Sequence, residues 1–358
     1  EARGANGEKL LHIRDGLTLS LEKSNVLSEN FIFTKGDDVN NSNSYLNVKE
    51  IEESLYQDRK HGSSVVVQES NGYVQVTGIL TDTLSIEPVL SNQRSKDGIV
   101  AHLISKFNDT SIPMYADNVN YTHLTEREAM GDIHRVTRQR LRSLPQTVTV
   151  ETRILYDSAL ERLKGSNLHH YFLTLMDKVN QYYTAVQNPR PHFIIVGIEK
   201  IKSEASLRLT SSTHLDVFNT LFPLYEYVHS SYRRDSQDVM AFVSGLRYSD
   251  KQTVGRAGLC GICSKQRVSV QAVQGFSDAT SALLIAHELG HLLGMEHEGD
   301  PPRYYTPGNG GLRCHSGAGY VMQAQLLDPG DSYFSRCVID QMKGCLMRKD
   351  QRCFARTA

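Results

Sequence analysis

The order of apolar runs predicts an α/β protein in two parts. A β-rich front spans residues 1–138. An α/β sandwich with a mixed, mostly parallel sheet and one long helix spans residues 139–358. Three observations carry this. The front holds strand-length runs around a hairpin turn, the rest alternates strand and helix, and all six cysteines lie between Cys260 and Cys353.

In the front, Phe31-Ile32-Phe33 reads as a short strand. Ser64–Gln68 and Tyr73–Val76 flank Asn71-Gly72, a dipeptide suited to the positive φ angles of a tight hairpin turn. Thr83 to Val89 adds another strand. No catalytic constellation is legible there. Next comes the basic run Arg135-Val136-Thr137-Arg138-Gln139-Arg140-Leu141-Arg142. Such a run is commonly a solvated linker. Arg135-x-x-Arg138 also matches the minimal pattern cut by basic-specific processing proteases, and its place between two unlike halves favours that reading. A cut after Arg138 leaves a chain beginning at Gln139, with the bonds after Arg140 and Arg142 as alternatives.

From Thr147 the alternation begins. Thr147–Asp157 reads as a strand, Ser158–Val186 as a long helix broken near Gly165, and Pro191–Ile201 as a buried strand. Asp216–Tyr232 reads as a helix despite Pro223, Val239–Tyr248 as a third strand and Val268–Val273 as a fourth. Strands alternating with helices imply parallel pairing. Beyond Asp300, Pro301, Pro302, Pro307, Gly308, Gly310 and Gly311 mark a loop-rich region of the kind that walls a site. Cys337–Leu346 regains helical periodicity.

Composition narrows the class. At 358 residues the chain can bury two sizeable cores. A formal charge of -1 argues against nucleic acid or acidic membrane as an obligate partner, and no apolar run reaches membrane-spanning length. A first residue of Glu1 instead of Met fits prior removal of a signal segment. An even, clustered cysteine count suggests three disulfides and an oxidising, extracellular setting. Cys260-x-x-Cys263 as half of a second metal site is the competing reading. Sequons at Asn40, Asn108 and Asn120 fit secretion and glycosylation.

The chemistry concentrates in residues 277–300, SDATSALLIAHELGHLLGMEHEGD. His287 and His291 stand four apart, so on a helix both imidazoles leave one face. Gly294 can adopt positive φ and turn the chain, which brings His297 back as a third ligand. Three neutral nitrogens suit a catalytic zinc with one position open for water. Glu288 follows the first ligand and is placed to polarise that water instead of binding metal. The bland alternative is a core helix with satisfied histidines. It leaves three histidines and a glutamate at this spacing unexplained, and chance supplies them on the order of once in ten million starting positions.

On these residues the second part resembles the metzincin zinc peptidases, and within them the reprolysin or adamalysin group of ADAM-like, ADAMTS-like and venom enzymes, including arthropod salivary and venom types. Met322, 25 residues after His297, is similar to the methionine turn of that clan. Gly255–Cys263 resembles the approach to the substrate-binding edge strand, and Tyr333–Cys337 the segment after the methionine turn. The resemblance implies zinc on His287, His291 and His297, Glu288 as base and then proton donor, and a propeptide in front. It implies that the strand from Val268 pairs with an extended substrate and that the loop around Met322 and Ala324 walls the pocket beyond the scissile bond. It pairs Cys263 with Cys345 and Cys314 with Cys337, which leaves Cys260 with Cys353.

Four departures stand out. Glu298 sits where the group carries Asp, with Asp300 two residues on. The front has no cysteine, so a thiolate cannot cap the metal. Glu151 and Asp238 fall where two calcium ligands belong, but Arg348 replaces an expected asparagine and would oppose a cation. No disintegrin or other accessory module follows within these 358 residues. The expected function is a secreted, zymogen-type zinc endopeptidase acting on extracellular proteins or peptides. The alternative is a secreted binding protein that uses the same scaffold to occupy a partner.

Overall fold

The computed structural model describes residues 2–3, 8–34, 51–70, 73–89, 100–106, 114–115, 144–232, 237–249, 253–301, 311–314, 319–326, 333–350 and 353–354. The basic run, the three sequons and the Asn71-Gly72 turn lie outside these residues.

Ten strands come first: β1 (Ala2–Arg3), β2 (Lys9–Arg14), β3 (Leu17–Lys23), β4 (Leu27–Thr34), β5 (Leu55–Asp58), β6 (Ser63–Ser70), β7 (Tyr73–Thr81), β8 (Leu84–Pro88), β9 (His102–Lys106) and β10 (Met114–Tyr115). All but β4 and β10 join one antiparallel sheet in the order β1-β2-β3-β5-β6-β7-β8-β9. β3 shows why: Leu17, Leu19 and Leu21 are buried while the residues between them face water, the period of a half-covered strand. β6 and β7 pair antiparallel as the hairpin predicts.

The second part contains β11 (Thr147–Tyr156), α1 (Ser158–Lys164), α2 (Leu168–Tyr183), β12 (Arg190–Lys200), β13 (Leu209–Ser211), β14 (His214–Leu215), α3 (Val217–Ser231), β15 (Val239–Ser244), β16 (Arg247–Tyr248), β17 (Gly255–Ala257), β18 (Val268–Ala272), α4 (Asp278–Leu292), β19 (Gln325–Leu326) and α5 (Arg336–Leu346). The helix expected over Ser158–Val186 breaks at Gly165, whose φ is +53°, and a short 3-10 turn follows. α3 runs through Pro223 because Leu221, Leu224, Tyr225 and Val228 stay buried against the sheet. The strand expected over Val239–Tyr248 divides. β15 lies in the main sheet with every residue buried, and β16 joins β13 and β14 in a separate small sheet.

The main sheet runs β17-β18-β15-β11-β12-β4. Every neighbouring pair is parallel except β17 with β18. One correction follows, and one strand finds an unexpected partner. The strand from Val268 is an interior strand, with β15 on one side and β17 on the other, so it has no edge for an added peptide. The edge is β17 itself, Gly255–Ala257. The predicted strand at Phe31–Phe33 pairs with β12, not with its sequence neighbours, and forms the opposite edge.

Among the described residues, β4 is one of three ties between front and back. In another, the front lies over α2, which is buried almost throughout: Phe172, Leu175, Met176 and Val179 are in the core, and so are Thr174, Asp177 and Lys178. Thr174 bonds to carbonyls of its own helix, and Asp177 and Lys178 are matched by the front. Ser24 Oγ donates to Asp177 Oδ1, and Gln181 Nε2 donates to Asp177 Oδ2 at 3.1 Å and to the Ser63 carbonyl at 2.9 Å. Lys178 Nζ donates to the Gly62 carbonyl at 2.9 Å and pairs with Asp82 at 2.7 Å. One apolar cluster contains Phe31, Leu55, Val66 and Ile79 of the front together with α2 and α4. The third tie is β10, which pairs antiparallel with β19.

Burial pushes the Asp177 carboxyl up to about 6, against hydrogen bonds from Ser24, Ser64 and Gln181 and the charge of Lys178. An acid whose pKa rises on folding opposes folding once ionised, so stability present near pH 4 is lost as pH climbs to about 6. Urea titrations across that window should show the unfolding midpoint of the wild type falling relative to that of Asp177→Asn. A gap between the two that stays constant with pH contradicts this.

Candidate metal centre

α4 starts where Ser277 caps it, its hydroxyl accepting from the Thr280 N–H at 3.0 Å, with Asp278 in the first turn. Such a cap contributes about 1 kcal/mol. The helix is apolar around its circumference: Ala282, Leu283, Leu284, Ile285, Ala286, Leu289 and Leu292 are all buried between sheet and α2. That fixes its rotation and aims His287 and His291 the same way.

The chain then turns. Gly294 has φ +98°, and a Cβ there would stand 2.4 Å from Cys345 Cβ. The helix C-terminus is closed by backbone from the segment after β17: Cys260 N–H donates to the His291 carbonyl at 2.8 Å and Ile262 N–H to Leu292 at 3.0 Å. A disulfide joins Cys260 to Cys345, another Cys263 to Cys353, and the third Cys314 to Cys337. The third agrees with the expected pairing, and the other two exchange partners. The reason is local. Once Cys260 caps α4, it lies against Gly294 and so against Cys345, and Cys263 is left beside Asp238 and Cys353. With both sulfurs so engaged, Cys260-x-x-Cys263 is not half of a metal site.

The turn brings the three histidines together. Nε2 of His287 lies 3.0 Å from Nε2 of His291 and 3.2 Å from Nε2 of His297. All three side chains are buried. The outer nitrogens explain the orientation. His287 Nδ1 donates to the Val321 carbonyl at 2.7 Å and His291 Nδ1 to the Met295 carbonyl at 2.7 Å, while His297 Nδ1 faces Asp300 Oδ2 at 3.5 Å. A proton on Nδ1 leaves Nε2 as a bare lone pair. Burial, then the neighbouring His297, pushes His287 down to about 3, so it is neutral. Clustered lone pairs repel unless a cation lies among them, and imidazoles around one tetrahedral zinc would place their nitrogens about 3.3 Å apart. The donor set therefore fits zinc. Asp300 supplies an outer-sphere partner that the motif alone did not reveal.

Glu288 is fully buried beside this cluster, one residue on from His287. Its carboxylate lies against β17: a Cβ built on Gly255 would come within 2.3 Å of Glu288 Oε1. Met322 is buried with its sulfur against Gly290, where a Cβ would meet it at 2.6 Å, and the carbonyl of Val321 just before it holds His287. The departure at Glu298 also finds its place. Its N–H donates to the Met322 carbonyl at 2.9 Å, and its buried carboxyl faces the hydroxyl and N–H of Ser335, the cap of α5. Burial pushes that carboxyl up to about 7, against the pull of Ser335 and His297. α5 grips the same loop again, because Glu296 N–H donates to Gln341 Oε1 at 2.8 Å. Glu151 and Asp238 are neighbours, with Asp238 Oδ2 accepting from the Glu151 N–H at 2.9 Å, and Arg348 is exposed beyond α5.

Imidazoles of His287, His291 and His297 converge beside a buried carboxylate and near an antiparallel edge strand, a donor set that fits zinc. Residues 150–357 match the reprolysin (M12B) family zinc metalloprotease, and the chain belongs to that family. It is 24% identical over 321 residues to venom metalloproteinase antarease-like TtrivMP_A of Tityus trivittatus, covering 82% of this chain and 77% of that protein. It is 22% identical to venom metalloproteinase BumaMPs1 of Olivierus martensii, covering 86% and 78%. It is 28% identical over 180 residues to human a disintegrin and metalloproteinase with thrombospondin motifs 14, covering 48% of this chain and 14% of that one. Among the described residues, no helix is long and apolar enough to cross a membrane.

Calorimetric titration of metal-free protein should find one zinc per chain. Asp300→Ala should weaken zinc binding about tenfold, the usual cost of losing an outer-sphere partner. Wild-type affinity in that variant would remove Asp300 from the site.

Proposed function

We propose that the chain is a secreted zinc endopeptidase, made as a proprotein, that cleaves extracellular proteins or peptides. The convergence of three buried imidazoles beside the buried Glu288 carboxylate carries this reading. His287, His291 and His297 would hold the zinc. Zinc bound there supplies Lewis acidity towards a water and a peptide carbonyl. Glu288 takes a proton from the attacking water and passes it to the departing amine nitrogen. β17 offers its outer edge to an extended peptide, which adds as a further strand. The carbonyls of Val321 and Met295 keep the imidazoles oriented through the cycle. Disulfides and the venom relatives support secretion.

Glu288→Ala should retain one zinc per chain and lose at least about a hundredfold in kcat, the usual worth of a positioned base. Near-normal turnover would sink the assignment. A pure binding scaffold has no need of the base. Partner binding by the zinc-loaded protein, with no cleavage of a broad peptide library, would favour that alternative.

The front part supports latency without a thiol. β10 occupies the backbone of β19, just beyond Met322 and Ala324, where the primed side of a substrate would lie. β4 and the residues around Asp177 hold the front in place when the connection is cut. After cleavage within residues 135–142, the two pieces should co-elute in gel filtration. Hydrolysis should stay low until the N-terminal piece is stripped away. Full activity at the moment of cutting contradicts this.

A further inference from the structure

The outer strand of the main sheet carries a buried cation with no anion beside it. Side chains of β17 alternate across the sheet. Gly255 faces α4, where a Cβ would approach Glu288 and Leu284. Arg256, the next residue, points to the opposite face, against α3. It is 3% exposed, and its guanidinium lies 3.7 Å from the Phe218 ring centroid and 5.3 Å from that of Phe222. Nη1 donates to the Phe218 carbonyl at 2.5 Å, while Nε is buried without a hydrogen-bond partner. Among the described residues, no carboxylate pairs with this side chain. The two acids nearest in sequence to these rings are placed elsewhere. Asp216 is turned into the cap of α3, accepting from the Asn219 N–H at 3.0 Å and from its Nδ2 at 2.8 Å, and Glu226 is exposed.

A charge taken out of water without a counter-charge is a costly state, and two aromatic rings offset only part of that cost. We propose that Arg256 and Phe222 form a specificity subsite for an acidic side chain, on the substrate residue that pairs directly opposite Arg256. This rests on the chain being an endopeptidase whose substrate adds to β17. Residues directly opposite on neighbouring strands hold their Cβ atoms about 5 Å apart on one face. The substrate residue opposite Arg256 thus points towards α3 and away from Glu288. Phe222 is 39% exposed, so it is the ring such a side chain lies along. The methylenes of a glutamate cover the ring, and its carboxylate takes guanidinium donors that the Phe218 carbonyl leaves over. A lysine there sets like charges across a strand pair and is disfavoured. An ion pair between two mobile exposed side chains contributes little. Here the fold has already desolvated the cation and fixed its rotamer, so the peptide meets a preorganised donor. Holding β17 to α3 is the plainer role of the same contacts, and it predicts no dependence on substrate charge.

The test uses quenched peptides that differ only by Glu, Gln or Lys at each position around the scissile bond. The zinc-loaded chain, cut within residues 135–142, is assayed before and after the N-terminal piece is stripped. The reading is the ratio of kcat/KM for Glu to that for Gln in each protein, so a general loss in a variant cancels. Wild type should give a ratio of about 10 at one position, the scale of one hydrogen bond to a charged group, and about 1 at its neighbours, which face the other way. Arg256→Met keeps an unbranched stem beside the rings and should bring the ratio to about 1, while Arg256→Lys should keep part of it. Phe222→Ala, at an exposed position, opens the pair to water and should lower the ratio severalfold, which serves if Arg256→Met folds poorly. A wild-type ratio near 1 at every position, or a slower Arg256→Met with the ratio unchanged, overturns the proposal and leaves Arg256 as a clamp. The same peptides are titrated against zinc-loaded Glu288→Ala, with and without Arg256→Met, by fluorescence anisotropy. If wild type cleaves none of them, yet the Glu peptide binds about tenfold tighter and Arg256→Met abolishes the difference, the endopeptidase reading falls and the subsite stands. No cleavage and no difference in binding removes both. Cleavage without preference removes the subsite alone.

Discussion

Three buried imidazoles, with Nε2 of His287 about 3 Å from Nε2 of His291 and of His297, are the constraint around which this protein is arranged. Left alone they repel, so the fold must force them together and a cation must compensate. Much of the surrounding structure serves that end. The apolar circumference of α4 fixes the rotation of two imidazoles, and Gly294 folds the third back. Carbonyls of Val321 and Met295 hold protons on the outer nitrogens. α5 then holds the returning loop through Ser335 and Gln341, and a disulfide fastens α5 to the segment that closes α4. None of these groups needs to touch a substrate to determine what the site can do.

The same logic explains why the departure at Glu298 is tolerated. A longer acid in place of Asp still reaches Ser335, because the loop is pinned on both sides, by the Met322 carbonyl at Glu298 and by Gln341 at Glu296. The anchor is a pair of backbone positions more than a particular side-chain length.

The elements and the chemistry were legible in the sequence to different depths. The histidine spacing is a property of one helix and one turn, so local pattern sufficed. Strand runs such as Thr147–Tyr156 and Arg190–Lys200 were readable from their apolar content. Placement within the sheet was not. Val268–Ala272 is interior and buried throughout, Ser269 and Gln271 included, while the true edge at Gly255–Ala257 is three residues long and contains an arginine that looks solvated until Phe218 covers it. Cysteine partners depend on how the end of α4 is closed, which spacing does not encode. Asp300 stands in the sequence as a departure from the group's pattern, and its spacing of three from His297 is the cue to its contact.

β4 has a further consequence for how the molecule is made. It leaves the ribosome early, yet its neighbour in the sheet is β12, separated from it by the rest of the front and by β11, α1 and α2. Until that strand emerges, an edge carrying Phe31 and Ile32 has no mate. The sheet is therefore completed backwards, its first-born strand added once later ones exist. Chains delayed in translation between the two would carry an exposed, pairing-competent edge, the form most open to association with another nascent copy.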